Sequence, residues 1–258
     1  MNSISPTSDQ GQFYGKIAVV TGSQSGIGSE ISQQLELRGA RVLRVDIQAP
    51  SEDLWQLAID ISKPSDIDRL MQHISKHIGK VDFFVHAAGI LKVGQLLEYS
   101  LDDWQHTFNV NSYGAFYLCQ QIGRHMAVNK SGAIVVIGSN CANTPRLKIG
   151  AYAASKAATH QMLKCLGLEL AEYGVRCNIV APGSTDTAMQ RMLWQSPSDA
   201  EKVIEGSAKD YRLGIPLKKI AVPKDIASVA CFLLSDSANH ITLETVTVDG
   251  GATLGCSH

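Results

Sequence analysis
The 258 residues set 23 Lys and Arg against 24 Asp and Glu, a net charge of -1, which excludes the electrostatic footprint of a nucleic-acid or anionic-membrane partner. The longest aliphatic run beside a strand, Ala133 to Ile137, falls far short of the ~18 apolar residues of a membrane span. The six cysteines (Cys119, Cys141, Cys165, Cys177, Cys231, Cys256) show neither C-x-x-C pairing nor metal-ligand spacing with histidine, so they read as reduced thiols of a cytoplasmic protein without metal.

Residues Met1 to Tyr14 are polar, with no basic start leading into an apolar run, and read as a loose tail and not a secretory signal. Lys16 to Thr21 is a short β-branched run ending in glycines, and Ile27, Ile31 and Leu35 then recur at helical spacing until Gly39. Arg41 to Asp46 and Leu57 to Asp60 supply the next strands, and Ser65 to His77 a helix. Val81 to His86 is a fourth strand, Asp102 to Met126 a long helical region, and Gly132 to Ile137 a fifth strand. A helix from Ala151 to Tyr173, a strand from Val175 to Val180 and a last strand from Thr245 to Val248 complete the alternation. Apolar strands alternating with helices specify a doubly wound parallel sheet of about seven strands, covered on both faces. No linker interrupts the chain, so 15–258 reads as one domain, with an inserted substrate loop at 186–219.

The first turn, Thr21-Gly-Ser-Gln-Ser-Gly-Ile-Gly28, lies between a strand and a helix. There Gly22, Ser25, Gly26, Ile27 and Gly28 let backbone N–H groups approach a pyrophosphate at the helix start. No Lys follows Gly28, which excludes the Walker pattern. Asp46 ends the second strand, where a carboxylate accepts from ribose hydroxyls and repels a 2'-phosphate, favouring NAD. Arg44 beside it could hold that phosphate, so NADP stays open. Tyr152 and Lys156 stand four apart on a helical face. A lysine there, with a bound cation nearby, would pull the phenol below its ordinary value of about 10 and make it a general base.

Together the glycine turn, Ala87-Ala88-Gly89, Asn111, Ser139, Tyr152-x-x-x-Lys156 and Pro182-Gly183 resemble the short-chain dehydrogenase/reductase family from end to end. Thr144-Pro-Arg146, Gly183 to Thr187, Met189-Gln-Arg191 and Gly214 to Leu217 lie outside its general signature. They resemble the branch that oxidises a dihydroxycyclohexadiene carboxylate. The resemblance implies a Rossmann-like NAD enzyme and a homotetramer. Ser139 would hydrogen-bond the reacting hydroxyl, Tyr152 take its proton, and Lys156 hold the phenolate and the nicotinamide ribose. Asn111 would hold a water near Lys156. It also implies Asp60 near the adenine, Ala88 and Gly89 along the ribose, and Thr187, after Pro182 and Gly183, at the carboxamide. One departure is His86, where the family usually has Asn, with a local effect expected.

A carboxylate substrate needs a cation. Arg146 is one candidate, and Arg191 with Gln190 another. Met189, Met192, Leu193 and Trp194 could close an apolar lid. Two other readings fit the same motifs: a reductase of ketoacyl thioesters, sugars or steroids, and a dinucleotide-binding protein without catalysis.

Overall fold
The computed structural model describes residues 11–49, 53–194, 196 and 198–254. Seven strands form one sheet: β1 (Ile17–Thr21), β2 (Arg41–Asp46), β3 (Gln56–Ala58), β4 (Phe83–His86), β5 (Gly132–Ile137), β6 (Val175–Pro182) and β7 (Thr245–Val248). Their order is β3-β2-β1-β4-β5-β6-β7 and every pairing is parallel. Period-two alternation sends side chains to two covered faces, which explains why the central strands β1, β4 and β5 are largely apolar. In β1, Val19 enters the core on one face with Phe84, Ile134 and Val136, while Ala18 and Val20 enter the other with Val85 and Val135.

Helices cover both faces. α1 (Gly26–Leu37) and α8 (Pro223–Leu234) bury Ile31, Leu35, Ile226 and Leu234 on one side. On the other lie α2 (Pro64–His73), α4 (Ala115–Asn129) and α5 (Gly150–Ala171), which bury Ile67, Leu118, Ile122 and Leu163. α3 (Leu101–Phe108) precedes α4, and the insertion carries α6 (Ala188–Arg191) and α7 (Asp199–Glu205). The strand order reverses between β1 and β4, which opens a crevice at the carboxyl ends of the strands.

Three details differ from the sequence reading. Gly11 to Tyr14 are turn residues and not tail: Phe13 is buried edge-on against Phe83, and its N–H donates to Arg38 O. Residues 1–10, the rest of the expected tail, lie outside the described residues. The helical region from Asp102 to Met126 is interrupted by a π turn, Asn109–Gly114. Finally, α8 fills a stretch where the sequence reading places no element. Its N-cap position is Val222, and Asp225 supplies the acceptor for the Val222 N–H, so the usual Ser/Thr/Asp/Asn start signal is missing.

Candidate active site
A cavity of about 540 Å³ occupies the crevice, and Asp46, Asp60, Ser139, Tyr152, Lys156, Arg146 and Arg212 all line it. At its floor Gly22 and Gly26 adopt left-handed φ of 67° and 51°. A Cβ on Gly22 would lie 2.7 Å from Ala88 N, and one on Gly28 2.1 Å from Gly22 O. The turn is thus closed by backbone packed on backbone. Ser25 caps α1 by position without a side-chain capping bond, and the first turn carries no acidic residue. Its N–H groups and the Ser25 hydroxyl are therefore available to an anion.

Asp46 ends β2 with Oδ2 accepting from Gln24 N and Oδ1 from Gln48 N, which aligns the carboxylate along the cavity wall. Arg44 does not line the cavity; its guanidinium is bonded twice to Glu36, at 2.8 and 3.1 Å, and its Nη1 donates to Ser23 O of the glycine turn at 3.4 Å. Asp60 binds Ser62 and Lys63; despite partial burial, the hydrogen bonds from Ser62 and the Lys63 charge hold its carboxyl below the ordinary value. Ala88, Gly89, Pro182, Gly183, Ile27 and Thr187 all line the cavity. A Cβ on Gly26 would lie 3.2 Å from Thr187 Cγ2, so the insertion arches over the glycine turn. This cradle fits a dinucleotide: uncapped helix N–H groups for the pyrophosphate, glycines no side chain could replace, and an oriented carboxylate for the ribose.

Ser139 leaves β5 in an extended conformation and caps a 3-10 turn. Its Oγ accepts from Cys141 N and Sγ at 3.3 and 3.0 Å. Tyr152 and Lys156 rise from the first two turns of α5, with Lys156 Nζ 5.7 Å from the phenol ring centroid and donating to Ile137 O at 2.9 Å. Burial lowers the lysine to about 8.

Within the protein alone, burial governs the phenol. Burial pushes Tyr152 up from its ordinary value, with the neighbouring Cys141 adding to it and only the Ser139 hydrogen bond opposing. Lys156 spends its nearest contact on a backbone carbonyl, so within the protein alone desolvation outweighs the lysine charge.

Asn111 sits in the π turn, where such bulges often serve sites. Its Nδ2 donates to Ile90 O and Ser155 Oγ while Oδ1 accepts from Ile90 N, so the side chain clamps the segment after β4. A Cβ on Gly89 would meet both Asn111 Oδ1 and Lys156 Nζ, at 3.2 and 3.5 Å, so the amide and the ammonium border one point.

Two histidines support this centre. His86 Nδ1 shares a hydrogen bond with Thr21 Oγ1 at 2.9 Å, tying β4 to β1 at the strand reversal. His160 Nε2 accepts from Ser139 N at 3.3 Å and fills the space a side chain at Gly138 would need. Burial first, and then the Lys156 charge, lowers His86 to about 3 and His160 to about 4. Unfolded imidazoles bind a proton near pH 6.5, so below that pH the unfolded chain holds more protons than the folded one. Stability is full above about pH 6.5 and falls as pH drops towards 4, by about 2 kcal/mol per histidine at pH 5. Urea unfolding at pH 7 and pH 5 checks this; His160→Gln should flatten the dependence, and an unchanged pH slope contradicts it.

At the substrate end Arg146 and Gln190 line the cavity, but Arg191 does not. Arg191 is exposed and paired with Asp186 through Nε and Nη2 at 2.6 and 2.9 Å, because it lies on the outer side of the short α6. It is removed from the candidates for substrate contact. Of the expected lid, Met189 and Leu193 line the cavity, whereas Met192 is 70% exposed. Sequence reasoning missed His160 and Arg212. His160 stands four residues beyond Lys156 on α5, the spacing that could have marked it. Arg212 lies in a loop with no periodicity, and the adjoining Gly214-Ile-Pro-Leu217 was its one available signal.

The model of a family described as enoyl-(acyl carrier protein) reductase matches residues 22–253. The chain is similar to the 2,3-dihydro-2,3-dihydroxybenzoate dehydrogenase of Bacillus subtilis, at 43% identity over 93% of this chain and 97% of that one. It is likewise similar to the Escherichia coli protein of the same name, at 44% over 94% and 99%. The solved structure of a 7α-hydroxysteroid dehydrogenase complexed with NADH and 7-oxoglycochenodeoxycholic acid superposes with a TM-score of 0.86 at 27% identity, covering 98% of this chain and all (100%) of that one. A glycine cradle at the strand reversal, a Ser-Tyr-Lys cluster beside it and near-full-length similarity all lead to one conclusion: the chain belongs to the short-chain dehydrogenase/reductase family.

Proposed function
We propose that the chain is an NAD-dependent 2,3-dihydro-2,3-dihydroxybenzoate dehydrogenase, which oxidises the ring alcohol at C3 and so yields the catechol acid 2,3-dihydroxybenzoate for siderophore biosynthesis. The observation that carries the reading is one cavity lined by the glycine cradle, Asp46, Ser139, Tyr152, Lys156 and Arg146 together. When bound, the oxidised nicotinamide supplies a hydride acceptor and a fixed positive charge. Ser139 and Tyr152 bind the substrate hydroxyl, which holds its C–H bond in place for transfer. Tyr152 takes the hydroxyl proton as phenolate, and the added positive charge offsets the burial that raises it. Lys156, held by Ile137 O, favours the phenolate and positions the nicotinamide ribose. Asn111 fixes Gly89 and Ile90 beside Lys156 and starts a water-borne proton path to solvent. The ketone formed at C3 tautomerises to an aromatic ring, which draws the reaction towards oxidation. Thr187 is assigned to the carboxamide, and Arg146 with Gln190 to the carboxylate.

The preference for NAD over NADP is supported by the pairing of Arg44 with Glu36 and by the place of Asp46 in the cavity lining. Asp46→Ser is expected to weaken NAD by about 10-fold or more, since hydrogen bonds to a charged group contribute about 1.5–3 kcal/mol, while NADP loses less. Turnover with each coenzyme checks this, and equal losses contradict it. Folded protein given NAD and the dihydrodiol acid should release NADH and 2,3-dihydroxybenzoate in equal amounts; no turnover refutes the assignment. A cytoplasmic homotetramer is the proposed form. Its support is the apolar surface left on α4 and α5, where Phe116, Val128 and Leu168 are exposed.

A further inference from the structure
Arg212, in the insertion, lines the same cavity as Arg146, in the loop after β5. Its position is built. Ser207 and Arg212 exchange backbone hydrogen bonds at 2.9 Å in both directions around a 3-10 turn, Ala208–Asp210, with Tyr211 left-handed at φ 55°. On either side Gly206 and Gly214 hold φ of 88° and 86°. A Cβ on Gly206 would lie 2.6 Å from Arg212 O, and one on Gly214 2.5 Å from Ile204 O. This packing allows the hairpin little freedom to carry the guanidinium away.

The two guanidiniums feel one another. Burial lowers the Arg212 pKa from its ordinary value, and the positive charge of Arg146 adds to that lowering. Asp210 is the acid whose charge reaches Arg212 most directly, but its Oδ2 accepts from Ser207 Oγ at 2.7 Å. Among the described residues, neither Arg146 nor Arg212 has an ion-pair partner. Two like charges close enough to interact in one partly apolar cavity, which Met189 and Leu193 also line, are a site for an anionic group on a ring.

Building on the proposed dehydrogenase, we infer that Arg212 and Arg146 together clamp the substrate carboxylate, and that Arg212 sets the preference for an acid over a neutral diol. Arg146 belongs to the fixed loop after β5, whereas Arg212 belongs to the insertion, so the carboxylate joins the insertion to the sheet. A hydrogen bond to a charged group contributes about 1.5–3 kcal/mol, which is about 10- to 100-fold in affinity.

The test compares 2,3-dihydroxybenzoate with catechol, which lacks the carboxylate, as ligands of the wild-type protein with NADH bound. Wild type should bind the acid at least about 100-fold more tightly. Arg212→Met should reduce that preference to about 10-fold or less, Arg212→Lys should retain part of it, and NADH affinity should change less than about twofold. In turnover of the dihydrodiol acid, Arg212→Met should raise KM with kcat nearly unchanged. A preserved preference in Arg212→Met overturns the inference, and so does a matching loss of NADH affinity, which would place the arginine at the cofactor or in the fold. If wild type itself fails to oxidise the dihydrodiol acid with NAD, the dehydrogenase reading fails first. Wild-type turnover with an indifferent Arg212→Met leaves that reading standing and sinks this one alone.

Discussion
Tyr152→Phe is expected to lower kcat/KM for the dihydrodiol acid about 10³-fold, the middle of the range a general base contributes, without unfolding the protein. The ring that packs beside Lys156 remains, and only the oxygen is lost. Lys156 keeps its bond to Ile137 O, so NADH should bind within a few-fold of wild type. The wild-type rate should rise with pH, because oxidation needs the unprotonated phenol and burial opposes its ionisation. The variant's residual rate should lose that dependence. Steady-state kinetics from pH 6 to 10 with an NADH titration provide the check; a loss below tenfold, or a retained pH profile, would give the proton to another group.

Gly28→Ala should weaken cofactor binding about 10²-fold. Its Cβ would lie 2.1 Å from Gly22 O, and both atoms belong to backbone that has little room to move. Gly22 is pinned in turn against Ala88. Relief requires the turn to open and the start of α1 to shift; a backbone shift costing roughly 3 kcal/mol amounts to about 10²-fold in Kd. The clash lies in the turn that follows β1 and outside the strand ladder, so far-ultraviolet circular dichroism should be retained while NADH affinity falls. Normal NADH affinity in this variant would contradict the packing described.

The fold was legible in the sequence because a buried parallel sheet needs near-continuous apolar strands, and β1, β4 and β5 at its centre carry them. β3 was placed late: the expected strand ran to Asp60, but Asp60 N turns to Asp66 Oδ2 and leaves the ladder. α8 escaped notice because Val222 gives no capping signal, although Ile226, Ala227, Ala230 and Cys231 repeat at helical spacing. The site was legible where its chemistry is local, in the glycine turn and in the Tyr152-Lys156 spacing. It was not legible where tertiary geometry decides. Arg191 and Arg212 are both arginines of the insertion; pairing with Asp186 withdraws the first, and a hairpin closed by Gly206 and Gly214 delivers the second. The direction of the Tyr152 shift likewise depends on burial, which the spacing of two residues does not report.

The alternative on the same fold is a reductase of ketoacyl thioesters using NADPH, and the chain is 32% identical to a 3-oxoacyl-[acyl-carrier-protein] reductase of Salmonella typhimurium. The decisive measurement is kcat/KM for the dihydrodiol acid with NAD against kcat/KM for acetoacetyl thioester with NADPH, on one preparation. The arrangement of Asp46, Arg44, Arg146 and Arg212 predicts that the dihydrodiol acid with NAD is favoured by at least about 10³-fold, the sum of a coenzyme and a carboxylate preference. A ratio near one, or in favour of the thioester, would contradict it.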